Sequence, residues 1–322
     1  MKSKIYILVI FSLIIMTSLS SYSQEPRDGN TDTTTQANEI LNQARKAVYK
    51  DGKKQDVTSI FLSVSGSWYD KTVRYMGKDK SRETEERMKV RREYSIASPQ
   101  LARVVHYVDP SDSTAEVQLK MEITMIANGD QVKRSTDLFM NGQKLDMGKI
   151  PTLEELLSAE GLPIKSPRSV ADSDLRAELF PFLLYAPVGN APKFNYVGRA
   201  EADGKKADVL EMQPDDALTG AVKQTTKYFF DSESHLLLLI TKDYSFDGIE
   251  KSISTYFSGH QLMAGLLIPT KIKEESKVVS KKTIEVMGLK STGSEQNKIT
   301  ELMVNKFEIG RQFPDKLFEI KK

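Results

Sequence analysis

The chain has 322 residues, with 46 lysines and arginines against 44 acids, one tryptophan and no cysteine. This near balance of charge gives no electrostatic case for nucleic acid, which calls for a clustered basic face. The missing cysteine excludes disulfides, thiol catalysis, thiolate metal sites and the lipid-accepting cysteine of a bacterial lipoprotein.

Residues 1–23 open with two lysines, continue through an apolar run from Ile5 to Met16 and end in small residues before Gln24. This is the pattern of a secretory signal peptide, and the run is short for a membrane span, so the mature chain is expected to start near Gln24 and to be soluble. Residues 24–36 contain no aliphatic side chain and many turn formers, and are expected to form a disordered arm. From there Ala37, Ile40, Leu41, Ala44, Ala47 and Val48 keep the spacing of one helix face, with Gly52 as a stop.

The period then changes to two. Ile60, Leu62, Val64, Gly66 and Trp68 alternate with Phe61, Ser63, Ser65, Ser67 and Tyr69, as in a strand with one buried face. The stretch KDKSRETEERMKVRRE, 78–93, mixes both signs and reads as a solvated hairpin. The clearest alternation places Val117, Leu119, Met121, Ile123 and Met125 between polar neighbours, and Asn128-Gly129 and Asn141-Gly142 supply hairpin turns after it. Helices are expected at 150–161, capped by Thr152 and stopped by Gly161, and at 173–186, bent at Pro181. From Phe194 onward strands return, separated by turns such as Asp203-Gly204, Asp231-Ser232 and Asp247-Gly248, which predicts a large antiparallel sheet. Within it Leu236 to Ile240 are apolar on both faces and must be covered on both.

Few residues point to chemistry. His106, His235 and His260 lie in or beside strands without zinc-binding spacing, and Asp109, Asp112, Asp215 and Asp216 suit turns better than a calcium loop. No phosphate-cradling glycine motif and no serine-nucleophile elbow occurs. No catalytic residue, metal or cofactor is therefore expected. Trp68 shares its parity with Leu62 and Val64, which fits a core aromatic or a ligand contact. Met121 and Met125 share a face with Leu119 and Ile123, and flexible thioethers suit either a core or a pocket for variable apolar shapes.

The order of elements resembles the family of periplasmic lipoprotein carriers and their relatives: LolA, LolB and the outer membrane lipoprotein-sorting-like proteins. The resemblance rests on ANEILNQARKAVYKDGKKQDVTSIFLSVSGSW as opening helix and strand, and on the Pro99-to-Arg103 step in SPQLARVVHY. It rests also on YVGRAEADGKKADVLEMQP, on the hairpins KYFFDSESHLLLLI and YFSGHQLMAGLLIPTKI, and on the ending VNKFEIGRQFPDKLFEI. It implies a mainly β fold with some α: a single domain over 37–322, built as a large antiparallel half-open β-barrel covered by a few helices. Its apolar side would hold a lipid or a lipoprotein acyl chain. Leu62, Val64, Trp68, Leu119, Met121, Ile123, Met125, Tyr228, Phe230, Leu237 and Leu239 are the candidate lining residues. Leu153, Leu156, Leu157, Leu179, Phe182 and Leu183 are candidates for the lid, and Arg103 for a latch to the lid backbone or to an anionic head group. A periplasmic monomer acting in lipid or lipoprotein transfer to the outer membrane is the expectation, with secretion as the alternative location. An envelope interaction or sensing module on the same fold is the alternative function, and an envelope hydrolase the third reading.

Overall fold

The computed structural model describes residues 31–49, 57–76, 81–98, 101–110, 119–128, 131–145, 193–212, 223–246, 248–281, 284–286 and 289–320. The signal-peptide stretch, both internal helices and the lid candidates Leu153, Leu156, Leu157, Leu179, Phe182 and Leu183 lie outside these residues.

The first element is the helix α1 (Thr31–Ala47). It begins six residues before Ala37, inside the stretch expected to be an arm, because the opening turn of a helix needs no apolar side chain. Its buried stripe is the expected one: Ala37, Ile40, Leu41 and Ala44, continued by Val48.

Strands follow in the order β1 (Ile60–Tyr75), β2 (Ser81–Ser98), β3 (Leu101–Pro110), β4 (Leu119–Asn128), β5 (Gln131–Met140) and β6 (Gln143–Lys144). Next come β7 (Phe194–Ala202), β8 (Lys205–Met212), β9 (Lys223–Asp231), β10 (Leu237–Phe246) and β11 (Ile249–Ser258). The chain continues through β12 (Gln261–Met263), β13 (Leu266–Ile268), β14 (Lys271–Ser280), β15 (Ile284–Val286), β16 (Leu289–Ser291) and β17 (Gly293–Ile309). A single 3-10 turn, Asp315–Phe318, closes the described chain.

Thirteen strands form one antiparallel sheet in the order β6-β5-β4-β3-β2-β1-β17-β14-β11-β10-β9-β8-β7. The fold is thus mainly β, one large sheet with one helix among the described residues, and no pairing joins β6 to β7 there. β1 to β6 run outward as successive neighbours on one side, and β7 to β11 do so on the other. β17 inserts between β1 and β14 and stitches the halves together, pairing with β1 from Ile60↔Ile309 to Tyr75↔Gly293. At Asp203-Gly204, φ values of 51° and 72° make the left-handed pair that a two-residue hairpin requires.

One face of the sheet carries the core. It gathers α1 with Ile60, Leu62 and Val64 of β1, Tyr94 and Ile96 of β2, Val104 of β3, Met125 of β4, Phe194 of β7, Leu210 of β8, and Tyr228 and Phe230 of β9. α1 packs mainly on β7, and its end is tied to the β12–β13 hairpin by the Leu267 amide donating to the Val48 carbonyl at 2.7 Å. The tail returns to the other half, where Phe318 is buried and its carbonyl accepts the Asn128 amide at 3.2 Å.

Candidate functional site

The apolar run of β10 answers to both faces, as its composition required. Leu237 and Ile240 join the core, whereas Leu238 and Leu239 form a second cluster with Ala202, Ala207, Phe229 and Tyr256 on the outer face. The expectation that Leu239 lines the same side as Leu237 is therefore corrected. A bulge between them, with Leu237 opposite Phe230 and Leu239 opposite Phe229, inserts an extra residue and reverses the parity.

The remaining lining candidates fall mostly together. Leu62, Val64, Trp68, Met125, Tyr228, Phe230 and Leu237 belong to one core cluster, and Met121 packs against it. Ile123 lies between the two methionines on the same face of β4 and is half-buried. Leu119 opens β4, and its side chain is outside the described ones. Arg103 does not reach this face: it alternates with the buried Ala102 and Val104, and its guanidinium stands 3.9 Å from Glu122 on the outer side. The latch assignment is corrected accordingly.

Along β1 the core face changes character. Ile60, Leu62 and Val64 are at most 1% exposed, but the same parity continues into Trp68, Asp70 and Thr72, which are also buried. Opposite them on β17 stand Thr300, Lys298 and Gln296. Glu86 and Met88 of β2 face Asp70 and Trp68 from the other side, and Glu274 of β14 faces Thr300. A polar patch therefore borders the apolar core on the four central strands.

Its charges are tied in a definite pattern. The Asp70 carboxylate accepts the Thr72 hydroxyl at 3.1 Å and, through a short contact, the Gln296 amide. Burial pushes the Asp70 carboxyl up, against the opposing pull of Thr72, Lys298, Gln296 and the Trp68 indole. Burial, together with the charge of Asp70, raises Glu86 as well. Arg92 of β2 reaches across β1 and β17 to place a guanidinium nitrogen 3.5 Å from Glu274. The Lys298 ammonium sits 3.9 Å from the centre of the Trp68 ring, and burial lowers its pKa. Trp68 Nε1 and Thr300 Oγ1 are buried with no hydrogen-bond partner among the described residues.

None of this patch was singled out in the sequence except Trp68. The available signal was the parity of β1 carried past Tyr69 to Asp70 and Thr72; the partners on β2, β14 and β17 follow only from register. Among the described residues no group of three His, Asp or Glu side chains is placed to hold a metal ion. None of their helices is long and apolar enough to cross a membrane. What the arrangement offers is an apolar face ending in donors and fixed charges.

The class defined by this geometry is a large antiparallel sheet with a helix on its core face. No protein-family profile matches the chain, and no curated protein sequence does. Among solved structures it is similar to a LolA superfamily protein from Nitrosomonas europaea, at 12% identity and a TM-score of 0.37, over 88% of this chain and 97% of that one. It is similar also to a DUF1329 family protein from Desulfovibrio piger, at 9% and 0.40, over 90% and 98%. A domain from Vibrio parahaemolyticus assigned to outer membrane lipoprotein sorting matches at 10% and 0.38, over 88% and 97%. The family that the sequence motifs resemble is among those named for these structures.

Proposed function

We propose that this chain is an exported, non-catalytic binding protein that takes the apolar part of a lipid or of a lipoprotein acyl chain on the core face of its sheet. It acts in the periplasm, in transfer toward the outer membrane. The observation that carries the reading is that Met88, Met121 and Ile123 stay half-buried beside a sealed core, on strands distant in the sheet order from β7, where α1 packs. Each unit of apolar area withdrawn from water there would contribute roughly 25 cal/mol per Å² before the costs of binding. The signal-like amino terminus and the motif resemblance support the same reading.

A second reading, an interaction or sensing module whose sheet is filled by its own side chains, is favoured by the near-complete burial of Leu62, Val64, Tyr228 and Phe230. Organic extraction of the purified protein followed by mass spectrometry, with titration by an apolar fluorescent probe, separates the two. A stoichiometric lipid, or saturable probe binding, is expected. A protein that yields no lipid and binds no probe leaves the module in its place.

A further inference from the structure

Three donors meet where the apolar face of the sheet ends. Trp68 of β1 and Thr300 of β17 are directly opposite each other, 4% and 1% exposed. The hydroxyl has no partner among the described residues, and the indole N–H is drawn toward the Asp70 carboxyl without completing a hydrogen bond there. Leaving a buried polar group unpaired is costly, so two side by side are an arrangement a folded chain does not keep without reason. Lys298, two residues along β17 from Thr300, holds its ammonium over the Trp68 ring and is attracted by Glu274 and Asp70 without closing an ion pair to either.

Two of the three carboxylates that border these donors, Asp70, Glu86 and Glu274, are engaged. Asp70 accepts from Thr72 and Gln296, and Glu274 is held by Arg92. The indole nitrogen can only donate, an ammonium can only donate, and the hydroxyl donates with either. An incoming group that suits all three is an oxygen acceptor bearing negative charge.

We infer that Trp68, Lys298 and Thr300 form a site for the anionic oxygen head, carboxylate or phosphate, of an amphiphile whose tail lies along Met88 and Met121. This rests on the binding function proposed above and names the chemistry of its ligand. Met88 is directly opposite Trp68 on β2, and Met121 is opposite Val108 on β3, which is itself opposite Val90 of β2. The half-buried methionines thus lead away from the donors across neighbouring strands. Lys298, half-buried and flexible, is the gate: moving its side chain off the indole uncovers Trp68 and Thr300 while keeping the ammonium within reach of the head. A charge-assisted bond to an oxyanion is about twice as strong as a neutral one, so the head would set which amphiphile is retained.

Because Trp68 is the only tryptophan, its emission reads the site directly. The purified full protein is titrated below the micelle threshold with oleate, oleoyl lysophosphatidate, oleyl alcohol and an oleyl trimethylammonium salt, and separately with inorganic phosphate. The two anionic amphiphiles are expected to shift Trp68 emission and to bind about tenfold more tightly than the alcohol. The cationic amphiphile should bind more weakly than the alcohol, and inorganic phosphate should leave the emission unchanged. In Lys298→Met the preference for anions over the alcohol should fall to near unity with alcohol binding retained. Thr300→Val, which removes only the unpartnered hydroxyl, should narrow the preference in a variant that keeps its fold. Equal binding of oleate and oleyl alcohol by the parent, or an unchanged preference in both variants, overturns the head-group site while leaving the binding function standing. Binding of inorganic phosphate as tight as that of the anionic amphiphiles overturns the assignment to a lipid head. Failure of every amphiphile to bind removes both.

Discussion

Asp231 closes the β9–β10 turn by accepting the amides of Glu233 and Ser234 on one oxygen, at 2.9 and 3.1 Å, and the Lys205 ammonium on the other at 2.9 Å. Burial works against its charge, but Lys205 and the two amides outweigh burial and hold the carboxyl down to about 2. A folded pKa below the ordinary 3.8 means stability that is present above that value and lost as pH falls through about 2. Urea unfolding of the parent and of Asp231→Ala at about pH 5 and about pH 2 should therefore show their difference shrinking by about 2 kcal/mol toward acid. A difference that stays constant between the two pH values would show that the turn does not depend on this charge. Gly66 makes a different demand. A side-chain carbon there would run into the Glu301 carbonyl of β17, so Gly66→Ala must push apart the pair of strands that joins the two halves of the sheet. A loss of about 1–3 kcal/mol is expected in the same unfolding assay, and no loss would mean that β1 and β17 separate freely at this point.

Within β4 two methionines on one face differ in a way the alternation of the sequence does not reveal. Met125 is 7% exposed and belongs to the core, whereas Met121 is half-buried at its border. Met125→Glu should abolish cooperative folding, since an unpaired buried charge costs several kcal/mol against a typical stability of about 5–15 kcal/mol. Met121→Glu should melt cooperatively near the parent temperature and lose probe binding. Circular dichroism melts and probe titration of both variants check this, and unfolding of both would mean that the border is closed core. The elements that were legible in the sequence share one property, a single polar face. β1 and β4 alternate cleanly, and Asp203-Gly204 and Asn141-Gly142 mark the β7–β8 and β5–β6 turns by chemistry suited to left-handed positions. β2 was harder to read as a strand because its core-facing Glu86 and Arg92 are charged like its outward Glu85 and Arg91. Leu239 was misplaced because a bulge cannot be seen in an unbroken run of leucines. Arg103 was assigned from a motif, when the burial of Ala102 and Val104 on either side puts it on the outer face.

For the molecule as a whole, the order of elements and the large sheet follow from local patterns, but the polar patch does not. It exists only because β17 returns across the sheet to lie beside β1, which brings Lys298 opposite Asp70 and Thr300 opposite Trp68 from more than two hundred residues away. An inward polar residue on a strand looks in the sequence like an outward one until its partners are known. The patch has a consequence for how stability depends on pH. Burial raises Asp70 above its ordinary 3.8, and burial with the charge of Asp70 raises Glu86 above 4.5. For a carboxyl raised in this way the uncharged form is the one the fold prefers. Its contribution is full below the ordinary value and is lost as pH climbs through the raised value, the reverse of Asp231. His260 acts against this trend, since burial lowers its pKa below 6.5 and the unfolded chain takes up its proton first as pH falls. The two effects are separated by comparing the parent with Asp70→Asn, which keeps an acceptor for Thr72 and Gln296 and removes the charge. His260 is common to both proteins and cancels in the comparison. The stability of the parent relative to Asp70→Asn should fall as pH rises from about 4 to about 7, because only the parent must then hold a charged carboxylate at position 70, beside Glu86. Unfolding midpoints measured across that range supply the comparison. A relative stability that is flat or rises with pH would mean that Lys298 fully compensates Asp70, and that the ammonium over Trp68 is already committed to a partner within the chain.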